Sequence, residues 1–250
     1  MTATLERHHN HAVNQWAANA IVISLCDLTG NMVQPWVDAG YHALLVDPQH
    51  GTSRVEGRVY KFAGTIEEAM PLIARLIRLG VVAAVFGFPP CTDMAVSGAR
   101  WFEAKRAADK MFQAKAVMVA EQCRTVGRLS GAPWFVENPV SVLSSAFGKP
   151  NHTFNPSDYT AYEPADNYTK KTCLWAGGGF VMPQPSRDSS LGAPDNRIHF
   201  ASPGPERANF RSATPMGFAR AVYEANAPIL VAPAQALDPL RPNQLAGATS

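Results

Sequence analysis

Cys91 directly follows two prolines, which themselves follow a long apolar run. Val81 to Phe88 predicts a buried strand, and Pro89 and Pro90 stiffen its exit and fix the position of the cysteine. Open α/β sheets bind ligands beyond the carboxyl ends of their strands, where a nearby helix end would lower the pKa of a thiol. We therefore expect Cys91 to act as a nucleophile; the alternative is a small core side chain.

A glutamate occupies a comparable place after the next apolar strand. Trp134 to Val136 predicts that strand, and Glu137 and Asn138 follow it directly. If the two strands are neighbours, Glu137 lies on the same sheet edge as Cys91. A carboxyl group in an apolar cleft has a raised pKa and stays protonated, so it can donate a hydrogen bond or a proton. The alternative is a solvated carboxylate in a turn.

A third pattern, typical of nucleotide binding, begins with the strand predicted over Ile21 to Leu25. The loop that follows contains Gly30, which lets the backbone approach a ligand closely. Asp47 ends the second strand about twenty residues later, where an acid commonly accepts hydrogen bonds from a ribose. Only one glycine is present, so the dinucleotide fingerprint GxGxxG is excluded. A tight turn and a surface aspartate are the alternative.

These candidate sites belong to alternating strand-like and helix-like runs, which predict a mainly parallel sheet covered by helices on both faces. Further strands are predicted at 42–46 and 59–62, and helices at 66–79 and 99–126. After Asn138, proline, glycine, serine and asparagine dominate up to Arg211, with a brief strand at 172–175. A last helix is predicted over 215–225.

Composition narrows the class of protein further. With 250 residues, 46% hydrophobic residues and 20 prolines, the sequence excludes a disordered chain, a coiled coil and a repeat array. Its longest apolar run is far shorter than the roughly 20 residues of a membrane span. The start of the chain lacks the pattern of a secretory signal, so we expect a cytoplasmic protein without a membrane partner.

Charge and ligand spacing restrict the partners. The net charge is +2, so nucleic-acid binding would need a local basic patch. The four cysteines are far apart and form no CxxC pair, which favours reduced thiols. His8, His9 and His11 could bind a metal adventitiously, but no paired ligands at fixed spacing occur elsewhere, and we expect no metal cofactor.

Taken in order, Asp27-x-x-Gly30, Asp47, Pro89-Pro90-Cys91 and Glu137-Asn138 resemble the motifs of DNA cytosine-5 methyltransferases. The similarity is greatest to short, phage-type members of that family and covers roughly residues 20–226. The segments that carry it are Leu25 to Asn31, Pro89 to Phe102, Glu137 to Pro150 and Lys171 to Trp175.

The resemblance implies a Rossmann-like, S-adenosylmethionine-dependent methyltransferase fold with a small irregular insertion for target recognition. It divides the chain into a flexible N-terminus (1–18), a catalytic domain that binds S-adenosylmethionine (19–150) and a loop-rich target-recognition region (151–212). A C-terminal helix (213–227) would pack back on the catalytic domain, and a flexible tail (228–250) would follow.

The resemblance also implies roles for individual residues. The implied catalytic residues are Cys91, Glu137, Lys171 and Thr172. The implied donor-binding residues are Leu25, Cys26, Asp27, Thr29, Gly30, Asn31, Asp47, Pro48, Phe88 and Pro89. The implied DNA-binding residues are Pro90, Thr92, Ser97, Arg100, Asn138, Lys170, Arg197 and Arg211.

The family reaction would transfer a methyl or related alkyl group from S-adenosylmethionine, or a modified form of it, to C5 of cytosine in DNA. Cys91 would add to C6 of a base flipped out of the duplex, and Glu137 would bind N3. The sequence departs from the family pattern: PPCT replaces PPCQ, ENP replaces ENV, and Lys170 and Lys171 stand in place of arginines.

Two functional alternatives remain open from the sequence, together with the oligomeric state. Only about 35 residues lie between Trp175 and Arg211, which is short for a region that reads duplex DNA. RNA or a free pyrimidine nucleotide is therefore a second possible acceptor. A homodimer that completes a DNA groove is another expectation, and a non-catalytic module that binds nucleic acid or cofactor is a hypothesis of a different class.

Overall fold

The computed structural model describes residues 20–198, 200 and 207–228, which form an α/β fold around one eight-stranded sheet. The order of the strands across the sheet is β3-β4-β2-β1-β5-β6-β8-β7. The strands are β1 (Ile21–Leu25), β2 (His42–Val46), β3 (Arg54–Glu56), β4 (Val59–Phe62), β5 (Val82–Gly87), β6 (Trp134–Pro139), β7 (His152–Phe154) and β8 (Thr172–Gly177).

The central strands β4, β2, β1, β5 and β6 are parallel, whereas β3, at one edge, and β8, near the other, each run antiparallel to the neighbours with which they pair. The strand order reverses between β1 and β5: the chain moves outward from β1 to β2 on one side and then returns to β5 on the other. In open α/β sheets, the crevice beyond the carboxyl ends at such a switch point binds ligands.

The helices pack on both faces of the sheet. They are α1 (Gln34–Asp38), α2 (Ile66–Arg78), α3 (Phe102–Ala108), α4 (Phe112–Ser130), α5 (Leu143–Phe147), α6 (Arg207–Ser212) and α7 (Met216–Asn226). Short 3-10 helices occupy Pro48–His50, Val96–Trp101, Pro156–Tyr159 and Pro164–Asp166.

Alternate residues of β1 enter two separate apolar cores. Ile21, Ile23 and Leu25 pack with the buried faces of α2 and α4, whereas Val22 packs with α1 and α7. All five residues of β1 are buried because helices cover both faces of the sheet. The sequence-based prediction of a mainly parallel sheet with helices on both faces is confirmed.

The single long helix predicted over 99–126 is wrong. The structure has a 3-10 helix, then α3, a break at Asp109 to Met111, and α4. The Asp109 carboxylate accepts the backbone N–H of Met111 at 2.8 Å, and this local bond competes with helical pairing. Helix α4 then runs to Ser130 and ends at Gly131, which has φ of 67°.

The irregular segment predicted over 151–212 contributes strands β7 and β8 to the central sheet. The boundary expected at residue 150, between the catalytic domain and the target-recognition region, therefore falls within the part of the chain that forms the sheet. Residues 178–195 contain no helix or strand, apart from the bridge between Asp195 and Tyr168.

The predicted flexible N-terminus (1–18), with its three histidines, and residues 229–250 of the predicted tail lie outside the described residues. Within the part of the chain that is described, no helix is both long and apolar enough to cross a membrane.

Candidate active site

Cys91 follows strand β5, and Glu137 lies in the second half of the neighbouring parallel strand β6, which extends to Pro139 rather than ending at Val136 as predicted. Strands β5 and β6 pair in a register that aligns Gly87 with Val136, so both chains leave the sheet at the same edge. The expectation that the two strands are adjacent is confirmed. Cys91 is half-buried, and the side chain of Glu137 is 13% exposed.

The loops after β5 and β6 are bonded to each other. The backbone N–H of Val96 donates to the carbonyl of Val140 at 3.0 Å, and that of Val142 donates to Met94 at 3.0 Å. These bonds hold the turn that begins at Cys91 against the segment that follows Glu137.

Asn138 and the backbone of Cys91 fix the start of that turn. The Asn138 side chain is fully buried and donates from Nδ2 to the carbonyl of Pro89 at 3.1 Å. The carbonyl of Cys91 accepts the N–H groups of Met94 at 3.0 Å and Ala95 at 2.8 Å. Asn138 is therefore a positioning residue for the Pro-Pro-Cys segment, although the sequence predicts a nucleic-acid contact.

The ammonium group nearest to Glu137 is that of Lys170, with 3.8 Å between Nζ and Oε1. Lys170 stands two residues before β8, which pairs antiparallel with β6 and aligns Leu174 with Glu137. Burial raises the pKa of the Glu137 carboxyl, and the charge of Lys170 opposes that effect in part. The direction agrees with the sequence-based expectation of a raised pKa at this carboxyl group.

The expectation of a lowered pKa at Cys91 is wrong. Burial raises the pKa of its thiol, and the charge of Glu137 raises it further, while Lys170 and Arg211 act in the opposite direction. No helix begins at Cys91; the next helical element is the 3-10 helix Val96–Trp101. The resting side chain is therefore a thiol, which must lose its proton before it can attack.

The loop after β1 is organised by Asp27, which is 4% exposed. Its Oδ1 atom accepts the backbone N–H groups of Thr29 at 3.0 Å and Gly30 at 2.8 Å, and the Thr29 hydroxyl at 3.1 Å. Its Oδ2 atom accepts the hydroxyl of Ser24 at 2.8 Å. Asp27 thus holds the loop in shape, while Gly30 adopts a φ of 76° that favours glycine.

Leu25 and Cys26 link this loop to the core. The carbonyl of Leu25 accepts the N–H of Phe88 at 2.9 Å, which ties the end of β1 to the segment before Cys91. The Cys26 side chain packs against the main core, where Cys123 lies, and its backbone φ of 55° is in the left-handed region. Leu25 is fully buried, so its side chain serves packing.

Asp47, at the end of β2, is 6% exposed and caps the next 3-10 helix by accepting the N–H of Gln49 at 2.8 Å. Pro48 is exposed. His50, which the sequence analysis missed, is buried in the same turn, and its Nε2 atom has no hydrogen-bond partner. Burial lowers the pKa of His50, so this imidazole is neutral.

Helix α6 and the residues after it connect these loops. Asn31 donates from Nδ2 to the carbonyl of Thr214 at 3.0 Å, and Asn209 donates to the Gln49 side chain at 3.4 Å. Arg211, in the same helix, lies close enough for its charge to lower the pKa of Cys91. The segment therefore borders both the loops after β1 and β2 and the cysteine. The sequence analysis did not predict helix α6.

The three residues Lys170 to Thr172 differ in their placement. Thr172 is 1% exposed and donates its hydroxyl to the carbonyl of Lys170 at 2.9 Å. Lys171 is exposed. Lys170, for which a DNA contact is predicted, is therefore the residue beside Glu137, and the structure does not bring Lys171 or the Thr172 hydroxyl to Cys91.

Arg197 is paired with an acidic residue of its own loop. It forms an ion pair with Asp195, and its guanidinium lies over the ring of Tyr168 at 5.4 Å. Its charge does not contribute to the pKa of Cys91 or Glu137.

The remaining predicted contacts are exposed around the Cys91 turn. Pro90 and Thr92 flank the cysteine, and Ser97 and Arg100 lie in the 3-10 helix that follows. Lys105 braces the turn from α3, donating to the carbonyl of Thr92 at 3.0 Å.

No model of a known protein family matches this chain, and no curated protein matches it either. Among the described residues there is no group of three or more side chains suited to hold a metal ion.

Proposed function

We propose that this protein transfers a methyl or related alkyl group from S-adenosylmethionine, or a modified form of it, to C5 of cytosine in DNA. The observation that carries the proposal is the order of groups along one sheet edge. Asp47 follows β2, the Asp27 loop follows β1, Cys91 follows β5 and Glu137 lies near the carboxyl end of β6, and these four strands are adjacent in that order.

The cysteine and the glutamate fit the activation of a pyrimidine ring. C5 of cytosine is a poor nucleophile until a group adds to C6. The Sγ atom of Cys91 would add to C6 while the protonated carboxyl of Glu137 donates to N3, so that electron density accumulates at C5. Once C5 has taken the alkyl group and the donor has left as its neutral thioether, a base would remove the C5 proton, Sγ would leave C6 as a thiolate, and N3 would return its proton to Glu137.

The charges around Cys91 couple these two roles. The negative charge of Glu137 raises the pKa of Cys91, whereas Lys170 and Arg211 lower it. A proton held on Glu137 by contact with N3 removes that negative charge. The two basic groups then favour the thiolate, so binding of the base would itself activate the nucleophile.

The residues at the switch point between β1 and β5 fit the proposed donor. The Asp27 loop offers backbone close to the sheet at Gly30, Asp47 offers a buried carboxylate for ribose hydroxyls, and Phe88 offers an apolar wall. When bound, the donor supplies an electrophilic methyl group. Leu25 and Pro89 are buried and would support this wall from behind.

A covalent trap tests the proposal. We expect protein, donor and an oligonucleotide containing 5-fluorocytosine to form a stable adduct, because fluorine at C5 cannot leave as a proton does. Mass spectrometry should place the adduct on Cys91. Cys91→Ser should abolish it, whereas Cys173→Ala, which changes a buried cysteine of β8, should retain it. Absence of an adduct with every cytosine-containing acceptor would leave a non-catalytic binding module as the better hypothesis.

The segment that could recognise a target sequence in duplex DNA is small, which favours RNA or a free cytidine nucleotide as a second class of acceptor. Strands β7 and β8 belong to the sheet, so the loops of 178–198 are the main described remainder of the predicted recognition region. Comparing transfer to duplex DNA, single-stranded DNA, RNA and a free cytidine nucleotide separates these acceptors. Nucleoside mass spectrometry of each product reports both the base and the group added.

A further inference from the structure

Trp101 is exposed beside the candidate active site. Its side chain is 57% exposed, whereas Trp36, Trp134 and Trp175 are buried. The guanidinium of Arg100 lies over the indole ring, 5.1 Å from its centroid. An exposed indole with a cation on one side is unusual for a residue that serves only packing, and it offers a flat surface for stacking.

The 3-10 helix that ends at Trp101 is held against the catalytic turn. Its first residue, Val96, is 53% exposed and bonds to the backbone of Val140, which is 45% exposed. From the other side, Lys105 of α3 donates to the carbonyl of Thr92 and to the carboxylate of Asp93 at 2.6 Å. The exposed apolar groups therefore lie on a segment that is bonded both to the turn that begins at Cys91 and to the residues after β6.

The charge of this segment is positive. Residues 93–115 contain five basic and three acidic residues, an excess that equals the net charge of +2 of the whole chain. Two of the acidic residues are neutralised within the segment, since Asp93 pairs with Lys105 and Asp109 pairs with Lys115. The other charged residues of the segment are Arg100, Arg106, Lys110 and Glu103.

An exposed aromatic ring with one guanidinium over it, in a segment of positive charge, matches unpaired nucleic acid. Bases stack on exposed aromatic side chains with little dependence on sequence, and nearby arginine and lysine side chains contact the phosphates. A base inside a duplex already has both faces covered by its neighbours. The indole is therefore available to bases of a single strand and much less so to those of a duplex.

We infer that Trp101, with Arg100, Arg106 and Lys110, forms a stacking platform for single-stranded nucleic acid beside Cys91. As a consequence that rests on the proposed function, single-stranded DNA is preferred over duplex DNA as the acceptor. The platform itself requires no chemistry and can be tested by binding alone.

The test measures the affinity of the full chain for a labelled single strand and for the matching duplex by fluorescence anisotropy. We expect the single strand to bind more tightly. Trp101→Ala should weaken that binding by roughly five- to a hundred-fold, the range for loss of one stacked base, and Trp101→Phe should retain most of it. Leu79→Ala is the matched control, because Leu79 is 46% exposed and follows α2 at the opposite edge of the sheet.

Intrinsic fluorescence provides a second measurement. The quenching of wild-type protein by the single strand, minus that of Trp101→Phe, reports Trp101 itself and removes any contribution of Trp16, which lies outside the described residues. Equal binding by wild type and Trp101→Ala, or no quenching of Trp101, overturns the inference. So does a dimer that Trp101→Ala dissociates, since a second copy of the chain would then cover this surface.

The outcome is independent of the proposed chemistry. Binding is measured with Cys91→Ala, which preserves the platform and cannot form an adduct. Trp101-dependent binding without a covalent trap would refute the methyltransferase proposal and leave the platform intact. A covalent adduct on Cys91, together with binding that does not depend on Trp101, would overturn the platform and leave the methyltransferase proposal intact.

Discussion

The Nζ atom of Lys170 lies 3.8 Å from Oε1 of Glu137, and the side chains are only 12% and 13% exposed. At this distance the two groups form an ion pair but no hydrogen bond, so the carboxyl oxygens of Glu137 can still hydrogen-bond to another group. The charge of Lys170 also lowers the pKa of Cys91. One lysine therefore influences the protonation of both groups that the proposed chemistry needs.

Removal of that charge should slow the chemical modification of Cys91. Without Lys170, the pKa values of Cys91 and Glu137 both rise, so less thiolate is present at a given pH. We expect iodoacetamide to alkylate Cys91 more slowly in Lys170→Met than in wild type around pH 8. The pH dependence of the alkylation rate should be shifted to higher pH in this variant. Peptide mass spectrometry assigns the rate to Cys91.

Two variants serve as controls for this experiment. Lys170→Arg keeps the charge and should keep the profile of wild type. Lys171→Met removes an exposed charge whose effect is on the pKa of Cys173, so it should leave Cys91 unchanged. Identical profiles for Lys170→Met and wild type would contradict the assigned influence of Lys170.

Glu137→Gln should act on Cys91 in the opposite direction. The variant removes a negative charge that raises the pKa of the thiol, so Cys91 should become alkylated at lower pH than in wild type. Transfer to cytosine should nevertheless be lost, because glutamine has no proton to give to N3. Loss of transfer together with slower alkylation would instead indicate a displaced cysteine.

The same variant should change the pH dependence of stability. Burial raises the folded-state pKa of Glu137 above its unfolded value, so its protonation stabilises the fold at pH below the unfolded pKa. That contribution is lost as pH rises through the raised folded pKa. The difference in melting temperature, Glu137→Gln minus wild type, should therefore increase from acid to neutral pH. A difference that is constant across this range would contradict the assignment.

Much of the sheet was predictable because its central parallel strands are mainly apolar. Strand β1 follows the run Ile21 to Leu25 without deviation, and both predicted strand ends, at Cys91 and Glu137, lie on one edge. The apolar runs were sufficient there, because parallel strands that are covered on both faces are apolar along most of their length.

The sequence-based predictions failed where a local side-chain bond replaced helical pairing, where a strand was too short to show a pattern, and where distant segments meet. The helix predicted over 99–126 is interrupted at Asp109, whose side chain competes for a local N–H. Strands β3 and β7 have three residues each, too few to show an alternating pattern. The pKa of Cys91 depends on Glu137, Lys170 and Arg211, which come together only in the folded chain.

Asn138→Ala should destabilise the fold. The buried amide donates to the carbonyl of Pro89, and its loss leaves that acceptor without this partner and opens a small cavity. We expect the free energy of unfolding in urea to fall by about 1–3 kcal/mol. Transfer should fall as well, because the Pro-Pro-Cys segment is no longer tied to β6. Ser97→Ala, at an exposed position, is the control and should leave the free energy of unfolding unchanged.

Asp27 offers the sharpest distinction between holding a loop and touching a ligand. In the structure its carboxylate accepts two backbone N–H groups and two hydroxyl groups of the loop. Asp27→Ala should lower the free energy of unfolding by about 3 kcal/mol, since buried donors lose a charged acceptor. It should also weaken donor binding, measured by calorimetry, at least about tenfold because the loop loses its shape.

Asp27→Asn decides between the two roles. The asparagine oxygen can still accept the N–H groups of Thr29 and Gly30, so stability should remain close to that of wild type. If Asp27 only shapes the loop, the affinity of Asp27→Asn for S-adenosylmethionine should also remain within a few-fold of wild type. A stable Asp27→Asn protein that has lost donor binding would show instead that the carboxylate contacts the donor directly. That result would add Asp27 to Asp47 as a member of the proposed donor site.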